Sequence, residues 1–120
     1  EISTLGATSI HSLRGGTISP TTLLPGDFGI VSPSDPSVLA PAATLEANAA
    51  LLREAISPQP LQNESTQARR DLVLANVAAA LILSDKAADW QTAAILAEEQ
   101  IQTGKPLATL NNLIAFTQKF

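Results

Sequence analysis

An almost uninterrupted apolar run in the middle of the chain limits the possible folds more than any other feature. From Leu72 to Leu83, a stretch of twelve residues, every residue is apolar except Asn76. This is too long for a typical buried strand, and the alanines in the run favour a helix. Such a helix is about 18 Å long, shorter than the roughly 20 residues needed to cross a bilayer. Because it is apolar on all sides, we expect a central helix wrapped by other elements.

The composition of the 120-residue chain fits one domain, with 45% hydrophobic residues. A net charge of −4 and scattered basic residues argue against a protein that binds nucleic-acid phosphates. The absence of cysteine rules out a disulfide framework and fits a reducing compartment such as the cytoplasm. The chain contains no methionine, even at its start, so we expect an excerpt of a longer protein.

The N-terminal part has the pattern of a β-hairpin. Two strand-like segments, Thr8–Leu13 and Thr17–Ser19, flank Gly15-Gly16, which tolerates the positive φ angles of a tight turn. Pro20 cannot donate a ladder hydrogen bond, so the second strand should be short or lie at an edge. A hairpin alone is marginally stable, and we therefore expect it to join a larger sheet.

Helical periodicity begins at residue 44. Thr44 is a suitable N-cap, and the helix should end before Ser57-Pro58. The apolar stripe predicted to face the core consists of Leu45, Ala49, Leu52 and Ile56. Residues 58–68 are predicted to form a polar loop that leads into the central helix.

Two further helices are predicted after the central one. Asp89 is the expected N-cap of a third helix, and Gly104 suits the position that follows its C-terminus. Pro106 suits the first turn of a fourth helix, which extends to about Thr117. The residues expected to be buried are Trp90, Ala94, Ala97 and Ile101 in the third helix, and Leu110, Leu113 and Ile114 in the fourth.

These patterns indicate an α/β fold. The chain divides into a strand-rich part at 1–31, a proline-rich connector at 32–43 and a helical part at 44–120.

Few side chains have the pattern of a catalytic site. His11, the only histidine, is best interpreted as an exposed strand residue. Arg69, Arg70 and Asp71 are expected to flank the start of the buried helix, with Asp71 near its positive end. An anion site at this position is the alternative.

Two amides lie on otherwise apolar helix faces. A buried amide without hydrogen-bond partners costs about 1–3 kcal/mol. We therefore predict that Asn48 and Asn76 hold the backbones of nearby segments, with substrate contact as the alternative.

Five segments, in order along the chain, resemble motifs of the anthranilate phosphoribosyltransferases. Glu1–Thr8 resembles DE-[LI]-S-T-x-G-P-T, and Leu24–Gly29 resembles P-E-D-F-G. Asn48-Ala49-Ala50 is similar to the family's N-A helix. Arg70–Leu81 resembles the motif R-D-x-V-x-x-N-A-A-x-A-L. Ala97–Leu107 resembles the motif A-x-x-x-I-x-S-G-K-A-L. The departures, such as Ala7 for the proline and Gly26 for the glutamate, concern local turns.

The resemblance implies the C-terminal third of an α/β catalytic domain of the nucleoside phosphorylase/phosphoribosyltransferase type. The hairpin would join a central sheet, whose other strands and an N-terminal helical domain lie outside this chain. The implied reaction transfers the phosphoribosyl group of phosphoribosyl pyrophosphate to anthranilate, with Mg²⁺ as cofactor, in tryptophan biosynthesis. A cytoplasmic homodimer with no nucleic-acid or membrane partner is also implied, its dimer contacts lying in the N-terminal domain.

One functional position of the family maps onto the chain. Glu1 matches the glutamate of an Asp-Glu pair that helps to hold Mg²⁺, and its Asp partner lies outside the chain. No catalytic residue maps here, and the substrate-binding residues are not identified. The rest of the segment is expected to be scaffold.

Two other interpretations remain open at this stage. A non-catalytic, nucleic-acid-binding relative of the same fold would be expected to lose the acidic pair and gain a basic face. A free-standing helical interaction module would carry the hairpin only as a peripheral feature.

Overall fold

The structure, a computed structural model that describes residues 1–119, begins with the predicted β-hairpin. Strands β1 (Thr8–Arg14) and β2 (Thr17–Leu23) pair in antiparallel fashion. The φ angles of Gly15 and Gly16 are 56° and 80°, values that residues with a Cβ atom rarely adopt. The two glycines therefore fix where the chain reverses.

The second strand is longer than the predicted segment Thr17–Ser19, and it lies at an edge, the other position that was predicted for a strand with Pro20. It continues past Pro20, which lies opposite His11, to Leu23. A hairpin has two open edges, and a proline is tolerated on an edge strand. Within residues 1–119 no third strand joins the hairpin, so the larger sheet stays a prediction.

Four helices follow the hairpin, after two short 3₁₀ turns at Pro25–Phe28 and Pro36–Leu39. They are α1 (Leu45–Ala55), α2 (Glu64–Leu83), α3 (Trp90–Gln102) and α4 (Lys105–Thr117). The described part of the chain contains no helix long and apolar enough to cross a membrane.

Local capping signals place the predicted helix ends correctly. The Thr44 hydroxyl accepts a hydrogen bond from the Ala47 N–H at 3.1 Å. The Asp89 carboxylate likewise accepts one from the Thr92 N–H at 2.8 Å. Gly104, directly between α3 and α4, has a φ of 73°. A left-handed glycine of this kind ends α3 as predicted.

The central helix starts earlier than predicted, so the loop predicted over residues 58–68 is confirmed only as far as residue 63 and is wrong from residue 64 onward. α2 begins at Glu64, where the Asn63 side chain caps it by accepting the Thr66 N–H at 2.9 Å. The first turns of α2 are polar, and the apolar run that marks the helix in the sequence begins only at Leu72. Asp71 therefore lies well inside the helix, away from its positive end.

Helix α2 packs on α1, α3 and both 3₁₀ turns, and its contact with α3 is made largely by alanines. Ala75, Ala78 and Ala93 are fully excluded from solvent. Leu74 and Ile101 extend this contact, and the N-terminal part adds Phe28, whose ring meets that of Trp90 edge-on at 5.5 Å. The core therefore lies between the base of the hairpin and the α2–α3 pair.

The prediction that α2 is wrapped on all sides is wrong within the described residues. Val77 is 39% exposed and Leu83 is 86% exposed, and Ala80 between them is also exposed. One side of the helix thus has no covering element among residues 1–119.

The predicted buried faces of α1 and α4 also need correction. In α1, Leu45 and Leu52 are 80% and 48% exposed, and the buried residue is Ala55. In α4, Leu113 is 57% exposed and no residue is fully buried. Helix α4 lies at the periphery, with α3 as its main helical neighbour, so it has little to be buried against.

Candidate functional site

The segment that begins with Glu1 is anchored by alternate residues. Glu1 is exposed, Ile2 is buried in the core, Ser3 is half-buried and Thr4 is buried. Burial of every second residue is typical of extended backbone, in which neighbouring side chains leave on opposite sides. The Glu1 side chain is therefore held at the surface next to a deeply anchored residue.

The amide of Asn76, from the middle of α2, holds this segment. Its Oδ1 accepts a hydrogen bond from the Ile2 N–H at 2.9 Å. Its Nδ2 donates to the Ile2 carbonyl at 3.0 Å and to the Leu72 carbonyl, one turn earlier in α2, at 2.9 Å. Asn76 thus satisfies both backbone polar groups of Ile2, as a neighbouring strand would.

Hydroxyl groups complete the turn that leads into β1. The Thr8 hydroxyl accepts a hydrogen bond from the Ser3 N–H at 3.0 Å, and the Ser3 hydroxyl accepts one from the Leu5 N–H at 3.1 Å. The Thr4 hydroxyl is buried and has no hydrogen-bond partner within residues 1–119. These bonds fix the segment at its second end.

The Glu1 carboxylate makes no hydrogen bond or ion pair with the rest of residues 1–119. It borders a shallow depression on α2 next to Leu72 and Asn76, and a second one next to Ser3 and Thr4. In the described part of the chain, no three His, Cys, Asp or Glu residues cluster as a metal site would require. Since Mg²⁺ is commonly bound through one or two carboxylates together with water and phosphate oxygens, Glu1 fits as one ligand.

Asn48 makes the same pattern of bonds in a different place. Its Oδ1 accepts the Ala42 N–H at 2.9 Å, and its Nδ2 donates to the carbonyls of Ala42 at 2.9 Å and Thr44 at 2.7 Å. The amide ties the connector to the start of α1. In this structure each of the two asparagines bonds to backbone groups only.

Arg69 and Arg70 both form hydrogen bonds within the protein. Arg70 is 2% exposed and donates to the Ala55 carbonyl at 3.1 Å, to the Ser57 carbonyl and to the Glu98 carboxylate at 3.2 Å. Arg69 donates to the Ala40 carbonyl at 2.6 Å. The guanidinium groups therefore fasten neighbouring segments, and their geometry does not support the alternative of an anion site.

Burial raises the pKa of the Asp71 carboxyl above its usual range. A hydrogen bond from the Gln67 side chain, at 2.7 Å, opposes this increase. The negative charge of Glu98 strengthens the increase, and the positive charge of Arg70 weakens it. Asp71 is thus a half-buried carboxylate bonded to Gln67, and it has no role at the helix start.

His11 is exposed on the hairpin. It lines an open cleft of about 710 Å³ together with Trp90 and the exposed Arg14–Asp85 ion pair, whose charged atoms are 3.9 Å apart. The His11 imidazole makes no side-chain hydrogen bond with residues 1–119. It is positioned as a surface strand residue.

Comparison with known proteins identifies the family. A sequence profile of the glycosyl transferase family, a/b domain, matches residues 1–107. The chain belongs to this glycosyl transferase family. The match covers both the hairpin and α1 to α3, so this α/β arrangement is that of the family's a/b domain.

Several curated proteins similar to this chain are named anthranilate phosphoribosyltransferase. The protein of Agrobacterium fabrum is 35% identical over 99% of this chain, and that of Parvibaculum lavamentivorans is 36% identical over 98%. The protein of Methanococcoides burtonii is 35% identical over 98% of this chain. The chain spans only 31–32% of the length of these relatives. No solved structure gives a significant match.

The comparisons confirm the resemblance carried by the five motifs. Sequence reasoning did not anticipate the buried role of Arg70, although a signal was present. Arg70, Leu74 and Ala78 are spaced by four residues and share the buried face of α2. The backbone targets of Asn76 and the buried Thr4 hydroxyl had no such signal in the sequence.

Proposed function

We propose that this chain is part of an anthranilate phosphoribosyltransferase. The enzyme transfers the phosphoribosyl group of phosphoribosyl pyrophosphate to anthranilate and releases pyrophosphate, as a step of tryptophan biosynthesis. The observation that carries this proposal is the similarity over 98–99% of the chain to relatives that all bear this name. A cytoplasmic homodimer, with dimer contacts outside residues 1–119, belongs to the same proposal.

Within this enzyme the chain contributes one metal ligand and a scaffold. Glu1 supplies a carboxylate to Mg²⁺, with further ligands from outside residues 1–119. Support comes from its position in the matched motif, its exposure and its lack of an internal partner. The chemistry that bound Mg²⁺ supplies is neutralisation of the charge that develops on the departing pyrophosphate. Ile2 and Asn76 hold the backbone from which this carboxylate extends.

The two alternatives have less support. A nucleic-acid-binding relative needs a basic face, but the chain has a net charge of −4 and its adjacent arginines donate to internal carbonyls. A free-standing module does not account for a family match that spans the hairpin and three helices together.

Substitution of Glu1 tests the proposed function. Glu1→Gln in the full-length enzyme keeps the shape of the side chain but removes one negative charge from the metal site. Activity at limiting Mg²⁺ is expected to fall by roughly 10–100-fold, the range found when metal-site support is lost. Raising the Mg²⁺ concentration should recover part of the loss. The measurement is phosphoribosyl transfer to anthranilate as a function of Mg²⁺ concentration.

The matched control is Glu46→Gln, which removes the same charge from an exposed position in α1. It should leave the Mg²⁺ dependence unchanged. If Glu1→Gln also shows wild-type turnover and Mg²⁺ dependence, Glu1 has no role as a metal ligand. If the unmodified enzyme does not transfer phosphoribosyl groups to anthranilate, the proposed function itself is wrong.

A further inference from the structure

We infer that Asn76 is a positioning residue for the Glu1 carboxylate, and that it affects metal binding separately from its contribution to folding. The inference rests on the proposed function, in which Glu1 holds Mg²⁺. Asn76 does not contact the metal in this proposal. It acts through the backbone that carries the ligand.

Asn76 holds the peptide unit that links Glu1 to Ile2. The Ile2 N–H belongs to the same planar unit as the Glu1 Cα, because the peptide bond has partial double-bond character. The hydrogen bond of this N–H to Asn76 Oδ1, at 2.9 Å, therefore fixes the plane in which the Glu1 Cα lies. Fixing this plane restricts the directions in which the Glu1 side chain can leave the backbone.

The Asn76 amide and the two backbone groups of Ile2 that it bonds, here called the clamp, are rigidly attached to α2. Asn76 Nδ2 also donates to the Leu72 carbonyl in its own helix, which fixes the amide relative to α2. The preceding residue, Ala75, is fully excluded from solvent and packs in the core. The clamp is thus attached to a well-packed part of the molecule, as precise placement of a ligand requires.

The position of Glu1 and the folding of the segment depend on different groups. The Ile2 side chain is 6% exposed and belongs to the core cluster, so it anchors the segment independently of Asn76. Loss of the amide should leave Ile2 buried but free its two peptide planes to rotate. We therefore expect weakened metal binding in a protein that still folds.

Asn48 provides an internal control for this separation. It makes the same three bonds, to the two backbone groups of Ala42 and to the Thr44 carbonyl, at 2.7–2.9 Å. The residues on either side of Ala42 are Pro41 and Ala43, which carry no metal-ligating side chain. Removing this clamp lowers stability without disturbing a neighbouring ligand.

The test compares Asn76→Ala with Asn48→Ala in the full-length enzyme, with Mn²⁺ as the probe metal. Mn²⁺ binding in the presence of pyrophosphate is measured by electron paramagnetic resonance, and melting temperature is measured without metal. Both variants should melt at lower temperature than wild type, since each leaves backbone groups unpaired. Only Asn76→Ala should weaken Mn²⁺ binding, by roughly 10-fold, the lower end of the effect of orienting residues. Equal Mn²⁺ affinity in wild type and Asn76→Ala would overturn the inference, as would equal weakening in both variants.

Glu1→Gln, alone and combined with Asn76→Ala, distinguishes the two proposals. If Glu1→Gln leaves Mn²⁺ binding unchanged, the proposed metal role of Glu1 fails and the inference fails with it. If Glu1→Gln weakens binding, Asn76→Ala should add little in the double variant, because no ligand remains to be positioned.

A second variant covers the case in which Asn76→Ala does not fold. Asn76→Ser keeps a hydroxyl that can donate to the Leu72 carbonyl one turn earlier in the helix, but it is too short to bond both backbone groups of Ile2. It should bind Mn²⁺ more weakly than wild type, as Asn76→Ala does. Mn²⁺ affinity equal to that of wild type in this variant would contradict the inference.

Discussion

Individual polar residues in this chain are bonded mainly to backbone groups, and Arg70 shows why. Its guanidinium reaches the carbonyls of Ala55 and Ser57 at the C-terminal end of α1. Ala55 is the last residue of α1, so its carbonyl has no partner within the helix and lies at the negative end of the helix dipole, and Ser57 lies just beyond this end. A planar cation with five donors satisfies them and still reaches Glu98. Asp71, the next residue, is half-buried and forms no ion pair with the described residues.

The raised pKa of Asp71 predicts an unusual pH dependence. Since burial raises its pKa in the folded state, the native state binds more protons than the unfolded state just above its ordinary value of 3.8. The contribution of Asp71 to the unfolding free energy therefore falls as pH rises through the folded-state pKa. Asp71→Asn should be more stable than wild type at pH 7, and this advantage should shrink as pH falls toward 4. Urea unfolding curves of both proteins at the two pH values measure the difference.

Asp89→Asn is the control, because the pKa of Asp89 is shifted in the opposite direction to that of Asp71. Hydrogen bonds from the Thr92 N–H and hydroxyl lower the pKa of the Asp89 carboxyl. Its contribution is therefore present above the ordinary pKa and is lost as pH falls through the lowered value. This variant should be less stable than wild type at pH 7, with a deficit that closes at low pH. A parallel response in both variants would show that the Asp71 effect is not specific.

At the scale of elements, small side chains set the distance between α2 and α3. Ala75 and Ala78 of α2 and Ala93, Ala94 and Ala97 of α3 all belong to the buried cluster. Alanine lets two helices approach closely while retaining the best helix propensity. The cost of such an interface is that it has no room for a larger residue.

Enlarging one of these alanines should therefore destabilise the helix pair. Ala78→Leu adds three carbon atoms at a position that is fully excluded from solvent. The expected loss in unfolding free energy is about 1–3 kcal/mol, the usual range for overpacking. Ala80→Leu, at an exposed position of the same helix, should change stability little. Thermal melts of the two variants provide the measurement, and equal melting temperatures would contradict the close packing.

The elements that were predicted correctly have local chemical signals. The glycine pair of the hairpin, the caps Thr44 and Asp89, and Gly104 act through bonds within a few residues. The buried face of α1 lacked such a signal, because alanines and leucines lie on several of its sides and the position of α2 decides which is covered.

The site was less predictable than the elements. Glu1 was identified only by resemblance to a motif, since an exposed acid has no distinctive pattern. The importance of Asn76 was visible as a polar residue in an apolar run. Its partner was not visible, because Ile2 is 74 positions away in the sequence and is held by its backbone.

At the scale of the whole molecule, residues 1–119 leave a substantial apolar surface uncovered. A groove of about 400 Å³ between α2 and α3 is lined mainly by apolar side chains, among them Val77, Leu81 and Leu96. Elsewhere Val31 and Leu83 are each 86% exposed. Exposed apolar area of this extent weakens the driving force for independent folding.

We therefore expect the 120-residue chain, expressed alone, to fold poorly. It should bind 8-anilinonaphthalene-1-sulfonate and unfold over a broad denaturant range, as states with loose packing do. Under the proposed function, further segments of the full-length enzyme cover this surface, so the full-length enzyme is the control and should bind little dye. A sharp two-state transition of the isolated chain, without dye binding, would instead favour the free-standing module.

The paired asparagine clamps have a consequence for how this sequence can diverge. An amide that recognises only backbone atoms places no demand on the side chain of the residue it holds. Position 42, whose side chain is not part of the core, is therefore free to drift during evolution while Asn48 is retained. Proline is the exception, because it has no N–H to donate. Among homologues, the residue that does the holding should thus be more constant than the residue that is held.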